Sequence, residues 1–213
     1  MARKTKEEAL KTREAIIDAA IQLFAEQGIF PTTLANIAEK AGVTRGAIYW
    51  HFKNKEALLD DLWEQVLLPF EPIRGLGDNE DLPDVLGTLE QVHYAFFKSL
   101  KESPRRLQLY KILMVASETV EEDNHLFSEK VCSPLEGRRK IENFLRNAVR
   151  RGYYPRGLNA RLASCAIFSF FHGLVNTWIL DPDLLDIDTD IPALLSGVTK
   201  MIHTSFISTE EVE

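Results

Sequence analysis

The fold is most legible in the stretch TTLANIAEKAGVTRGAIYWHFKNKEALL, residues 32–59. Leu34, Ile37, Ala38 and Ala41 recur at helical spacing behind a threonine able to cap, Thr32 or Thr33. Gly42 makes a turn. Thr44 then caps a second short helix through about His51, with Ile48 facing inward and Val43 and Phe52 closing a small core. Asn54 caps a longer helix carrying Leu58, Leu59, Leu62, Trp63, Val66 and Leu67. Two short helices joined by a glycine turn cannot bury their own apolar faces, so they need a third, longer helix to pack on. The preceding segment supplies it. Thr5-Lys6-Glu7-Glu8 has a capping pattern, Ile16, Ala19, Ala20, Leu23 and Phe24 keep one face apolar, and Gly28 is a natural stop.

This arrangement leaves one side of the helix after Thr44 uncovered. That side carries Thr44, Arg45, Tyr49, Trp50 and His51, and Lys53 and Lys55 follow at once. A helix start bearing a hydroxyl, cations and rings suits a DNA groove. Its dipole and free N–H groups favour phosphate. Arg45 can reach a guanine edge with two hydrogen bonds, and Tyr49 a phosphate or a thymine methyl. The pattern is that of a helix-turn-helix reading double-stranded DNA. Ile48 and Phe52 read as core. Trp50 reads as packing under the next helix in preference to facing the DNA backbone.

Charge supports the same division. The 213-residue chain has a net charge of -7, yet residues 1–55 hold nine Lys and Arg against six Asp and Glu. One end can therefore meet a polyanion while the rest keeps the protein soluble. Beyond the quoted stretch every segment reads as helix, and no alternating run suggests a strand. Pro69 and Pro72 end or kink the fourth helix near Leu68. Gly75 to Asp81 reads as a loop. Helices then follow over about 83–102, 104–120 (with Ser103 as cap and Pro104 in first position), 124–151 with a bend at Pro134, 159–180 and 191–206. The fold class is all-α. It divides into a helix-turn-helix DNA-binding domain over 1–53 and a helical effector-binding and dimerisation domain over 54–213.

Cys132 and Cys165 lie far apart and form no C-x-x-C, so neither a zinc site nor a disulfide framework is indicated. The basic start runs straight into charged helical sequence, unlike a signal peptide. The apolar run from Cys165 to Val175 is too short to span a bilayer. A cytoplasmic protein with reduced thiols and no membrane partner is the expectation. Enzyme signatures (G-x-S-x-G, a Gly-rich phosphate loop, H-E-x-x-H) are missing, and no enzyme activity or cofactor is expected. The aspartates from Asp181 to Asp190 lack the spacing, turn glycine and final glutamate of a calcium loop, so they read as a solvated cap for the last helix and not as a metal site. Arg138, Arg139, Arg150 and Arg151 could form a second basic patch; for Arg150 and Arg151 the simpler reading is complementing a helix C-terminus.

The segment VTRGAIYWHFKNK resembles the DNA-binding domain of the TetR family of bacterial regulators. The whole chain, through the helix around FHGLVNTW, resembles the AcrR-like group of multidrug-efflux repressors. The resemblance implies an all-helical homodimer closed by the last two helices. It implies DNA-binding domains in successive major grooves of a pseudo-palindromic operator, and a pocket in each C-terminal domain for a small apolar or aromatic effector. By position it places Thr33, Thr44, Arg45, Tyr49, His51 and Lys55 on DNA. The expected function is a repressor, released by its effector, that controls a multidrug efflux transporter. The alternative is a DNA-binding activator or global regulator with no small-molecule effector.

The effector candidates are Phe96, Tyr110, Met114, Phe168, Phe171, His172, Asn176 and Trp178, a set rich in rings and soft side chains. Any one of them alone is explained equally well as plain core, and His172 as a core histidine bonded to a carbonyl. Ser169 is expected in the same pocket. Related repressors often carry a His-Lys-Cys-Glu type of stretch where this chain reads MVASET, Met114 to Thr119, which implies a more apolar pocket. For the dimer, Leu162, Phe170, Gly173, Leu174, Leu194, Leu195, Val198 and Ile202 offer more apolar face than one protomer needs.

Overall fold

The computed structural model describes residues 6–74, 81–118 and 134–207. Ten α-helices are described: α1 (Lys6–Gln27), α2 (Leu34–Lys40), α3 (Arg45–His51), α4 (Lys55–Leu67), α5 (Glu71–Arg74), α6 (Val85–Glu102), α7 (Pro104–Glu118), α8 (Pro134–Arg150), α9 (Ala160–Leu180) and α10 (Asp190–Ser205). Among the described residues there is no strand, only an isolated bridge between Leu158 and Ile207. The capping pattern at Thr5, the Gly75 loop and the helix expected from Asn124 to Ser133 lie outside the described residues.

The helices group into two compact units. One takes α1 to α4 together with α7. The other takes α5, α6, α8, α9 and α10. Packing thus follows a different line from the division expected at residue 53: α4 and α7 share a core with α1, α2 and α3.

In the first unit α1 is the platform. Ile16, Ile17, Ala20 and Phe24 on α1, Ile37 on α2, Ile48 on α3, Phe52, and Leu58, Leu59 and Leu62 on α4 are all buried. Ile48 and Phe52 are core, as their spacing predicts, and truncating such a side chain to alanine costs about 2–5 kcal/mol. An Arg13–Asp61 ion pair ties α1 to α4, and the Arg13 guanidinium lies 5.4 Å from the centre of the Phe52 ring.

After α4 the chain narrows into a 3-10 turn, Leu68–Phe70, and then into α5. This is the break that Pro69 and Pro72 predict. In the second unit Ile141, Phe144, Leu145 and Ala148 form the inner face of α8 at i, i+3, i+4 and i+7. They pack with Val85, Leu86, Leu89 and Val92 of α6 and Ala163 and Ile167 of α9.

The 21 residues of α9 are, by length and composition, apolar enough to cross a bilayer, more than the run from Cys165 to Val175 suggested. Its Ala163, Ser164, Ile167, Phe171, Leu174, Val175 and Trp178 are nevertheless buried within the protein. The aspartate loop before α10 serves as turn chemistry. Asp186 Oδ1 accepts from the backbone N–H groups of Asp188 and Thr189, each at 2.9 Å, and Asp190 Oδ2 accepts from that of Asp186 at 2.9 Å. No cluster of His, Cys, Asp or Glu suited to a metal occurs among the described residues.

Candidate functional site

The DNA-facing half is built from caps. Thr33, not Thr32, is the N-cap of α2: its Oγ1 accepts from Asn36 N–H at 3.2 Å, and Asn36 Oδ1 accepts from Thr33 N–H at 3.0 Å. Thr32 is fully buried and closes α1 instead, donating to the Gly28 carbonyl at 2.7 Å. The α2–α3 turn is a Schellman motif. Gly42 has φ +66, its N–H donates to Glu39 O at 3.1 Å, and Val43 N–H donates to Ala38 O at 2.9 Å. A side chain at Gly42 meets nothing within 4 Å, so glycine is needed there for its left-handed backbone and not for space.

Thr44 caps α3, accepting from Ala47 N–H at 3.2 Å. With Ile48 turned inward, the outer face of α3 presents exposed Arg45, Tyr49 and Trp50. Arg45 and Tyr49 are one helical turn apart and stand on the same side. His51 is half-buried.

Trp50 departs from its expected packing. It is 73% exposed, edge-on against His51 with ring centres 4.5 Å apart. The sequence puts it on the uncovered side of this helix but leaves it off the set of DNA contacts. The available signal was that Ile48 and Phe52 already fill the inner face of so short a helix.

Lys55 also has an unforeseen setting. Its ammonium donates to the carbonyls of Ile29 at 3.1 Å, Phe30 at 3.1 Å and Thr32 at 3.2 Å. All three hydrogens are therefore used inside the protein, where the start of α4 braces the α1–α2 loop. Partial burial lowers the pKa of this lysine. A phosphate contact by Lys55 would have to replace one of those bonds.

The second unit holds an aromatic cluster. His93 lies under Phe171 with ring centres 3.9 Å apart. Phe70 meets His93 at 5.4 Å, Phe96 at 5.2 Å and Phe171 at 5.9 Å. Phe97 bridges Phe171, at 5.9 Å, and Trp178, at 6.0 Å. Phe168 packs on His172 at 4.1 Å. Of the effector candidates, Phe96, Phe168, Phe171, His172 and Trp178 thus fall in or beside one cluster.

His93 and Phe70 were missed. For His93 the signal was its place one turn after Leu89 and one turn before Phe97. Burial pushes the His93 pKa down to about 3, helped by His172 nearby and opposed by its bond to the Leu89 carbonyl, so the ring is neutral at pH 7. Burial lowers the His172 pKa as well. A narrow crevice of only about 10 Å³ opens on this cluster, lined by Leu89, Glu90, His93, Phe171, Leu195 and Thr199 among others.

The remaining candidates lie elsewhere. Tyr110 is buried and Met114 half-buried on α7, which belongs to the first unit. Asn176 and Ser169 are exposed on α9, on the side away from the rings. The side chains of Val115 to Thr119 lie outside the described residues. The apolar surplus expected at a dimer face is also smaller. Leu174, Leu195, Val198 and Ile202 are core of the protomer, while Leu162 is 40%, Met201 39% and Leu180 85% exposed.

These features agree with what the chain is similar to. The pattern of bacterial regulatory proteins of the tetR family matches residues 16–62, and that of the C-terminal region of MAATS-type transcriptional repressors matches residues 84–204. The chain belongs to the TetR family of transcriptional regulators. It is 38% identical over 205 residues to the HTH-type transcriptional regulator TtgR of Pseudomonas putida, covering 96% of this chain and 98% of that one. Among solved structures it resembles NalD, the secondary repressor of the MexAB-OprM multidrug efflux pump in Pseudomonas aeruginosa. That match has a TM-score of 0.69 and 31% identity, and covers 94% of this chain and all of that one. It also resembles SmeT in complex with triclosan, SmeT being the repressor of the Stenotrophomonas maltophilia pump SmeDEF. Here the TM-score is 0.72 and the identity 29%, over 95% of this chain and 99% of that one.

Proposed function

We propose that this regulator represses a multidrug efflux transporter and leaves its operator when a small apolar or aromatic compound binds the second unit. Thr33, Thr44, Arg45, Tyr49 and His51, joined by Trp50, contact a pseudo-palindromic operator. Lys55 holds the loop behind them and adds positive charge. The protein acts in the cytoplasm as a homodimer closed over the outer faces of α9 and α10, where Leu162, Leu180 and Met201 stand exposed.

The observation that carries the reading is the uncovered face of α3 with Arg45, Tyr49 and Trp50 on it. What supports an effector is the ring cluster around His93 and Phe171. It is already filled by its own side chains, so a ligand entering from the cleft must displace rings such as Phe70 or Phe96. That makes the bound arrangement a different state from the free one, and only differential affinity between states can release DNA.

Triclosan is a suitable first probe, since the similar SmeT binds it. If it binds the DNA-released state about 100-fold better, it supplies roughly 2.7 kcal/mol per site. Linkage then requires the operator to weaken triclosan binding by the same factor. Calorimetric titration of triclosan into free and operator-bound protein tests this. Equal affinity for both forms for every compound tried would leave a regulator without a small-molecule effector.

A further inference from the structure

The densest positive charge in this chain is not in its DNA-reading helices. From Arg138 to Arg161, 24 residues hold eight cations and one acid, Glu142. Seven of the eight are arginines. Neutralisation is sparse. Arg138 and Arg146 share Glu142, at 2.8 and 2.6 Å, and Arg151 pairs with Asp81 at 2.8 Å. Arg150 bonds the neutral Asn147 side chain, and Lys140 donates to the Arg74 carbonyl, so neither charge is cancelled. Arg139, Arg156 and Arg161 are exposed and form no ion pair with the described residues. Other groups facing this region are Glu136 at the start of α8, Asp84 beside Tyr154, and the exposed Lys200 and His203 of α10, His203 stacking on Tyr154 at 5.4 Å.

The geometry is a stripe. Arg139, Arg146 and Arg150 are exposed at i, i+7 and i+11, one face of α8 over about 16 Å. Arg156 in the following turn and Arg161 in the first turn of α9 lie beyond its end. Complementing a helix C-terminus accounts for Arg150 and Arg151 alone. It does not account for Arg139, Arg156 or Arg161.

We propose that α8 and the α8–α9 turn form a second nucleic-acid contact, which holds duplex DNA through its phosphates without reading sequence. Guanidinium forks match phosphate oxygens, and an arginine-dominated stripe is what such contacts use. A membrane surface fits less well, because among the described residues α8 exposes no apolar side chain and the turn exposes a single aromatic ring, Tyr153, whose hydroxyl is bonded to Asp81, too little to enter the bilayer interface. An acidic peptide fits less well because the face is convex helix and not a groove. The proposal rests on the protein being a DNA-binding regulator, but not on which residues of α3 read the operator.

The test uses the full-length protein and a labelled 16-base-pair duplex lacking the operator, with affinity measured across a salt series. The triple variant Arg139→Glu, Arg156→Glu, Arg161→Glu should lower affinity at least tenfold at low salt. It should also reduce the log–log salt slope by about 2 to 3 units, at about 0.9 per phosphate contact. The triple lysine variant should keep most of the slope. If the glutamate variant does not fold, as judged by its melting curve, the triple glutamine variant is measured in its place with the same expectation. An unchanged affinity and slope in the folded variant overturns the proposal. So does an unchanged slope together with lost binding to vesicles of anionic and zwitterionic phospholipid, which would make the stripe a membrane contact. A change confined to sedimentation without DNA would overturn it too, making the stripe an interface between copies. The variant Arg45→Ala, Tyr49→Ala is run in parallel. Its operator preference should vanish while its non-specific salt slope stays largely intact. If that preference survives, the reading of α3 fails and the stripe is judged on its own slope.

Discussion

Arg105, the second residue of α7, holds Asp18 of α1: its Nε lies 2.9 Å from Asp18 Oδ1, while its Nη2 lies 2.9 Å from Glu14 Oε2. Glu14 and Asp18 are four residues apart, so one guanidinium spans a full turn of the helix on which α2 and α3 pack. In the chain, α7 follows α6 with only Ser103 between, and α6 carries His93 and Phe96. The chain thus runs directly from the helix that carries these rings into the helix whose Arg105 holds α1, and this covalent route is the path tested below.

Arg105→Ala should separate stability from response. All three side chains are about half exposed, so the pairs contribute less than about 1 kcal/mol to folding. Operator affinity without effector should change less than threefold, while the loss of affinity caused by effector should shrink. A titration of operator binding with and without triclosan measures both. An unaltered response would remove Arg105 from the path.

Lys55→Met should act through the fold. It removes the ammonium from the Ile29, Phe30 and Thr32 carbonyls, of which Ile29 keeps a bond from Thr32 N–H at 3.3 Å, at a cost of about 1–3 kcal/mol. The melting temperature should fall, and operator affinity with it. The salt slope should move little. A drop of nearly one slope unit per protomer with no loss of stability would make Lys55 a phosphate anchor instead.

His93 predicts acid sensitivity with a defined sign. Its pKa is about 3 in the folded protein against 6.5 ordinarily, so the unfolded chain takes up a proton that the folded one refuses. The stability His93 contributes is complete above pH 6.5 and is lost as pH falls from there toward 3, by up to about 1.4 kcal/mol per unit. His93→Phe should flatten the stability profile in that window. The lowered pKa of His172 acts in the same direction, so a residual slope should persist. Chemical denaturation between pH 7 and 4 is the measurement, and identical profiles for variant and parent would contradict the buried, neutral ring.

Trp50→Ala should lower operator affinity without a stability cost above about 0.5 kcal/mol, since the ring is 73% exposed. Phe52→Ala, two residues on and only 4% exposed, should cost about 3–5 kcal/mol. Thermal melts beside gel-shift titrations compare the two.

These contrasts mark what could be read from sequence. The helix boundaries from Thr33 to Leu67 are local matters of capping, and Thr33, Thr44 and Asn54 announce them. The inner face of α8 follows from its period. The inner face of α9 does not. That helix is apolar nearly all round, with Leu162 and Leu180 outside and Phe171 and Trp178 inside, so spacing alone could not turn Ser169 and Asn176 outward. The three carbonyls around Lys55 come from a loop more than 20 residues earlier, and no local pattern reports such a contact.

The proposed function depends on the exposed face of α3 reading DNA sequence, and Arg45→Ala bears on that without intermediate steps. Competition between the operator and a set of single-base-pair variants, measured for parent and variant protein, gives a preference at each position. The expected result is a loss of about 1–3 kcal/mol per half-site, with preference relaxed at one base pair in each half and kept elsewhere. An equal loss for every sequence, with all preferences intact, would contradict it and make Arg45 a phosphate anchor only.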